Sequence, residues 1–420
     1  MKLLIKGGRV VDPGSGRDEI ADVFIADGKI ASGKGKADQT LDAKGLVVAP
    51  GLIDLAARLR EPGHGYKATL DTEMDAAVAG GVTSVACPPD TAPPLDEPGL
   101  VDMLRRRAKA LSRARVYPVG ALTVNLDGER LAEMSVLAHA GCIAFSQANV
   151  PITDTQVLWR ALQYAATFGF PVWLRAEDKW LSREGVAHDG EVSTRLGLAG
   201  IPAFTETIAL ATMLQLVRST GARVHFCRLS TAAAVDMMRA AKKEKLPVTC
   251  DVGIQYVHLS EMDLGYYDSH CRLDPPLRSQ RDRDALAAGL ADGTVDCAVS
   301  DHTPVDEDRK QLPFAEAETG ATGLELLLPL ALKWGASRKL PLAKTLARVT
   351  SEPARILGVR SGRIEPGAPA DLVIFDPALA WRVEPAALKS EGKNTPFLGY
   401  ELAGRVRATI VAGRVVYEQA

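Results

Sequence analysis

The sequence predicts a (β/α)8 barrel of the TIM type joined to a small β-sandwich domain formed from both chain termini. Three observations predict it. The middle of the chain alternates short apolar runs with stretches of helical, roughly 3.6-residue periodicity. Around eight such units fill about 300 residues, the count and length of a parallel barrel, with a doubly wound open sheet as the runner-up. The two ends share a style that the middle lacks: β-type runs cut by glycine turns, with Gly8-Arg9-Val10-Val11 echoed by Gly413-Arg414-Val415-Val416.

Taken in order, residues 1–50 contribute LLIKGGRVVD, DVFIADGKIA and KGLVVAPGLID. Strand-like runs follow at 81–88, 115–122, 142–146, 171–177, 222–230, 247–252 and 294–301. Helical stretches separate most of them, among them TDTQVLWRALQYAATFG and TETIALATMLQLVRSTG. GRIEPGAPADLVIFDP and RVRATIVAGRVVYE return to the β style. The expected division is 1–51 with 355–420 for the β domain and 52–354 for the barrel. Chemistry in such a barrel sits at the C-terminal strand ends. The residues to question are therefore Asp54–Arg60, Cys87–Thr91, Ser146–Gln147, Arg175–Asp178, Arg228–Ser230, Gln255 and Asp301–His302.

Composition narrows the function. A chain of 420 residues exceeds a single core, and 46% hydrophobic with 24% charged residues is ordinary for a soluble globular protein. Fifty basic against 52 acidic residues argue against a nucleic-acid binder. Arg105-Arg106-Arg107 and Lys242-Lys243 are expected to be solvated helix faces, not phosphate contacts. Six scattered cysteines without a CxxC pair point to reduced thiols in a cytoplasmic protein. The first residues do not resemble a signal peptide, and no run approaches roughly 18 apolar residues, so no membrane segment is expected.

GLIDLAARLREPG (51–63) and the following YKATLDTEMDAAVAGGVTSVACPPDT resemble the dihydroorotase family of the amidohydrolase superfamily. So do LDPPLRSQRDRDALAAGLADGTVDCAVSDHTP (273–304), AETGATGLELLLPL (317–330) and the tail segments GRIEPGAPADLVIFDP and NTPFLGYELAGRV. The resemblance implies a zinc-dependent barrel that opens or closes the cyclic amide of dihydroorotate in pyrimidine synthesis. It also implies the ligand set: a His-x-His pair on the first strand, two later histidines and bridging carboxylates.

Position by position, that set is missing. The His-x-His falls on Ala56 and Arg58, the bridging carboxylate on Gln147, and the later histidines on Arg175 and Arg228. Asp301 alone stands at the position implied to be catalytic, here expected to be a vestige. Arg60 keeps a substrate-gripping position, Asp90 replaces an asparagine, and His302 completes the expected substrate pocket. An alanine has no donor atom, and a guanidinium, always protonated, has no lone pair to give zinc. Without the metal, nothing lowers the pKa of an attacking water from 15.7 towards about 7. No metal or other cofactor is therefore expected.

The seven histidines offer no evident replacement site. His139 belongs to a helix-like run, His64 and His188 to loops, and His225 is expected to face away from Arg228. Asp301 and His302 with Glu177, Asp178 or Cys87 are the only weak mononuclear alternative. Carboxylates left behind by departed dications are costly unless paired. Arg58, Arg175 and Arg228 are therefore expected to stand in electrostatically for the metals, with Asp301 paired to at least one of them.

Inactive dihydroorotase-like chains associate with the catalytic chain of aspartate carbamoyltransferase, and the ligand loss here resembles that class. The leading expectation is a catalytically inactive structural partner of that enzyme. The alternatives are an active cyclic-amide hydrolase with an atypical or mononuclear metal site, and a regulatory protein that binds an anion. A homo-oligomer is also possible under each reading; nucleic acid and membrane are not expected partners.

Overall fold

The structure, a computed structural model, describes residues 2–33 and 35–419. Eight parallel strands run in strict chain order: Leu52–Asp54, Val82–Cys87, Arg115–Ala121, Ala144–Ser146, Val172–Leu174, Val224–Phe226, Val248–Gly253 and Cys297–Val299. Each coincides with an apolar run predicted from sequence, Val248–Gly253 extending one residue past its run. Most of their residues are buried, as expected when helices cover one face of a parallel sheet and the barrel interior the other.

The first and last strands meet without a ladder of their own. An isolated parallel bridge joins Ala57 to His302. There the Arg58 N–H donates to the His302 carbonyl (2.9 Å) and the His302 N–H to the Ala56 carbonyl (3.1 Å). Two backbone hydrogen bonds therefore close the barrel at the level of the candidate site.

The helices start and stop where their sequences dictate. Asp154 caps Thr155–Phe168 through the N–H groups of Gln156 and Val157, and Gly169 ends it in the left-handed region at φ 70°. Thr231 caps Ala232–Lys243, and Ser279 with Asp282 forms a capping box on Gln280–Asp292. The predicted helix at 205–221 is present as Phe204–Thr220.

Both ends of the chain build one hydrogen-bonded sheet of eight strands, drawn from Lys2–Pro50 and Leu372–Glu418. Val47–Pro50 is its seam, lying between Lys2–Asp12 (parallel) and Leu372–Arg382 (antiparallel). Leu3, Ile5, Val10, Ile25, Val48, Leu372 and Ile410 meet in a core separate from that of the barrel. Asp371, fully buried, ties the two units together: it takes a bidentate pair from Arg115 (2.8 and 3.1 Å) and accepts from Ser361 and the Ala412 N–H.

One half-buried base should make the fold acid-sensitive. His258 Nε2 lies 2.9 Å from the Leu330 carbonyl, and burial lowers its pKa to about 4. A free imidazole titrates near 6.5, so between those values the unfolded chain binds the extra proton and stability falls as pH drops. About 2 kcal/mol should be lost between pH 7 and pH 5 from this group alone. Urea midpoints for the wild type and His258→Gln at both pH values check this; equal pH dependence in the two proteins would exclude His258 as the cause.

Candidate functional site

The barrel mouth is built from strand ends whose backbones turn inward. Arg60, Arg228 and Asp301 take φ values of 62°, 55° and 48°. The left-handed region disfavours L side chains, and its use at a strand end re-aims the residue that adopts it. All three side chains are buried.

The expected pairing of the arginines is present. Arg58 donates Nε to Asp90 (2.7 Å), Nη1 to Thr303 Oγ1 (3.1 Å) and Asp301 Oδ1 (3.4 Å), and Nη2 to Asn149 Oδ1 (3.0 Å). Arg228 Nη1 reaches the same Asp301 oxygen (3.1 Å) and the Asp274 carbonyl (3.3 Å), and its Nη2 bonds Asn149. Arg175 grips Asp274 bidentately, with Nη1 at 2.6 Å, and its Nη2 contacts Glu177 at 2.7 Å. Asn149 is the hub: it accepts from Arg58 and Arg228 and donates to Asp274 (3.2 Å).

The electrostatics follow from that geometry. Burial pushes the Asp90 and Asp274 carboxyls up, but the surrounding guanidiniums outweigh it and hold both below the usual range. For Asp301 burial wins over Arg228 and Arg58, and its pKa lies above the ordinary value. Burial would lower Arg228, yet Asp301 and Asp274 raise it well above its usual value. Arg60 is drawn down to about 10 by burial and by Arg58, and its Nε donates to the Pro304 carbonyl (2.8 Å).

Little room remains for a substrate beside Arg175. The cavity lined by Arg175, Glu177, Thr205, Glu206, Pro275 and Arg278 has a volume of about 10 Å³, roughly the space of one water. Gln147, at the bridging position, accepts from Thr123 Oγ1 (3.0 Å), while its Nε2 is buried without a protein partner.

Three expectations change. His302 does not line a substrate pocket: it is fully buried, with Nε2 2.6 Å from Glu73 and Nδ1 accepting the Gly323 N–H (3.1 Å). Its backbone closes the barrel, and its ring turns outward to the first helix, Leu70–Ala79. His225 does not face away from the centre. Its Nε2 lies 2.9 Å from Asp251 Oδ2, and the other Asp251 oxygen accepts the Arg228 N–H at 2.6 Å. Counting strand parity from Arg228 fails because that residue lies past the strand end in left-handed backbone. Asp54 is likewise no rim group: fully buried, it bonds Ser300 and the Ala56 N–H and braces the first strand against the last.

Asn149, Asp274 and Thr303 belong to the centre, and sequence reasoning missed them. A further donor group, His225, Cys227 and Asp251, lies beneath Arg228, its ligand atoms within 4.8 Å of one another. Thr249 and Asp251 occupy both ring nitrogens of His225, and burial with Asp251 holds the Cys227 thiol well above its usual pKa. The residues implied for the family's zinc do not fit it. Methyl, amide and guanidinium groups offer no ligand set, and every guanidinium is already committed to oxygen acceptors.

Comparison with known proteins matches a family model described as dihydro-orotase-like to residues 45–234 and an amidohydrolase family model to residues 181–417. A protein named dihydroorotase from Geobacter sp. (strain M21) is 42% identical over 423 aligned positions, covering all of both chains. The chain belongs to the dihydroorotase-like amidohydrolases. A dihydroorotase-like protein of Pseudomonas aeruginosa is also 42% identical over the whole of both chains. Among solved structures, the L-hydantoinase (dihydropyrimidinase) of Arthrobacter aurescens shares the fold, with TM-score 0.88 and 24% identity over 100% of this chain and 96% of its own. This dihydroorotase-like chain thus combines the family's barrel with a centre of ion pairs.

Proposed function

We propose that this protein is a catalytically inactive, metal-free dihydroorotase homologue that serves as a structural partner of the aspartate carbamoyltransferase catalytic chain in pyrimidine synthesis. One observation carries the reading. Guanidiniums stand at three of the positions the family resemblance implies for ligands, locked onto Asp90, Asp274 and Asp301. Such a centre repels a divalent ion and has no activated water to offer. An intact barrel around it suits a scaffold.

Purified protein, soaked in excess zinc or manganese and dialysed, should retain less than about 0.1 metal per chain and leave dihydroorotate at the buffer rate. One equivalent of metal with chelator-sensitive turnover would establish the other reading, a mononuclear enzyme. The His225–Cys227–Asp251 group is the one observation that favours it. Gel filtration with the carbamoyltransferase of the same organism tests the partnership: co-elution at micromolar concentration is expected, and separate elution refutes it.

A further inference from the structure

A roomy concavity lies at the other end of the barrel. A cleft of about 840 Å³ lies between the helix Pro98–Leu111 and two turns of the terminal sheet, Asp27-Gly28 and Ala412-Gly413-Arg414. Arg115 and Tyr117, near the start of the third barrel strand, also line it, so it opens away from Arg58 and the strand C-termini. Its volume is in the range of small-molecule sites, about 300–1,000 Å³.

Its charge is unbalanced. Arg113 is paired outward to Asp75 and Arg115 to Asp371. Arg106, Lys109 and Arg414 have no carboxylate within 4.0 Å among the described residues, and Arg105 reaches only the Ala140 carbonyl (2.6 Å). Against these four cations stand two carboxylates, Asp27 and Asp102. Cations gather favourably at a helix C-terminus, which accounts for Lys109 beside Ser112. It does not account for Arg414, which arrives from the other domain. Like charges around a concave wall concentrate positive potential and attract a counter-anion.

One wall of the site is fixed in place. Gly28 and Gly413, both in left-handed backbone, pack so closely that a side chain on Gly413 would come within 2.9 Å of Ile25 and 3.0 Å of Gly28. The Gly413 N–H is held by the Ala370 carbonyl (3.0 Å) and the Ala412 N–H by Asp371 (2.7 Å). A cleft formed before its ligand arrives loses little entropy on binding.

We infer that this cleft binds an organic phosphate of nucleotide size: Arg106, Lys109 and Arg414 hold the phosphates, and Tyr117, Val116 and Val416 supply a less polar wall for the organic part. Arg106, expected from sequence to belong to a solvated face, acquires a ligand in this reading. The inference does not depend on whether the barrel mouth is active.

Calorimetric titration of the full chain with ADP, inorganic pyrophosphate and adenosine tests it. ADP should bind with a Kd below about 0.5 mM at 0.1 M salt, adenosine should not bind, and pyrophosphate should bind more weakly than ADP. The triple variant Arg106→Ala, Lys109→Ala, Arg414→Ala should weaken ADP at least tenfold with an unchanged melting temperature, while Arg160→Ala on a distant helix should leave it unaltered. No heat with ADP up to 5 mM, equal affinity in the triple variant, or pyrophosphate binding as tightly as ADP would each overturn the proposal.

Discussion

Replacing Asp301 by asparagine should destabilise the protein by about 3–5 kcal/mol, the usual cost of removing one partner from a buried ion pair. The substitution is nearly isosteric, and asparagine tolerates the φ of 48° that residue 301 adopts. Backbone strain therefore contributes little; burial disfavours the Asp301 carboxylate itself, but its loss strands the buried guanidiniums of Arg58 and Arg228 that share it, and that cost dominates. The sign is informative. A carboxylate kept for catalysis is often held at some cost to stability, and its removal then stabilises the fold. A carboxylate kept to neutralise guanidiniums is lost at a penalty. Chemical denaturation midpoints of the two proteins at pH 7 decide the matter, and a more stable Asp301→Asn would contradict the electrostatic role assigned to this residue.

Restoring donors should have an equally large and opposite consequence for metal. A variant carrying Ala56→His, Arg58→His, Arg175→His and Arg228→His removes three guanidiniums and introduces four imidazoles at strand ends fixed by backbone hydrogen bonds. Without metal it should melt well below the wild type, because Asp90, Asp274 and Asp301 lose their partners. With zinc at a hundred times its dissociation constant, about 2.7 kcal/mol should return. Metal analysis should find about one zinc per chain, against none in the wild type. A variant that folds yet takes up no zinc would show that more than the donor types keeps metal out.

The sequence made the barrel legible because each strand is a short apolar run bounded by turns, and several helices carry their own caps. The lack of donors at the positions the family resemblance implies for ligands was legible because donor chemistry is a property of residue type alone. What could not be read was the pairing. Asn149 and Asp274 are 125 residues apart, and Arg175 and Asp274 are 99 apart, joined by no local pattern. Asn149 sits in a polar segment after the fourth strand with nothing to mark it as a hub. His302 misled for a different reason. Its strand-end position suggested the cleft, but Glu73 on the first helix, 229 residues earlier, claims its ring. His225 was misplaced because alternation along a strand stops where the backbone turns left-handed.

The join between the first and last strands bears on how such a centre could change at all. Two main-chain hydrogen bonds, at Arg58 and His302, fasten the ring, and point mutation cannot delete a peptide oxygen. Side chains at 56 and 58 can therefore be exchanged without touching the bonds that keep the hoop shut. Chemistry is the replaceable part of this architecture; circumference is not.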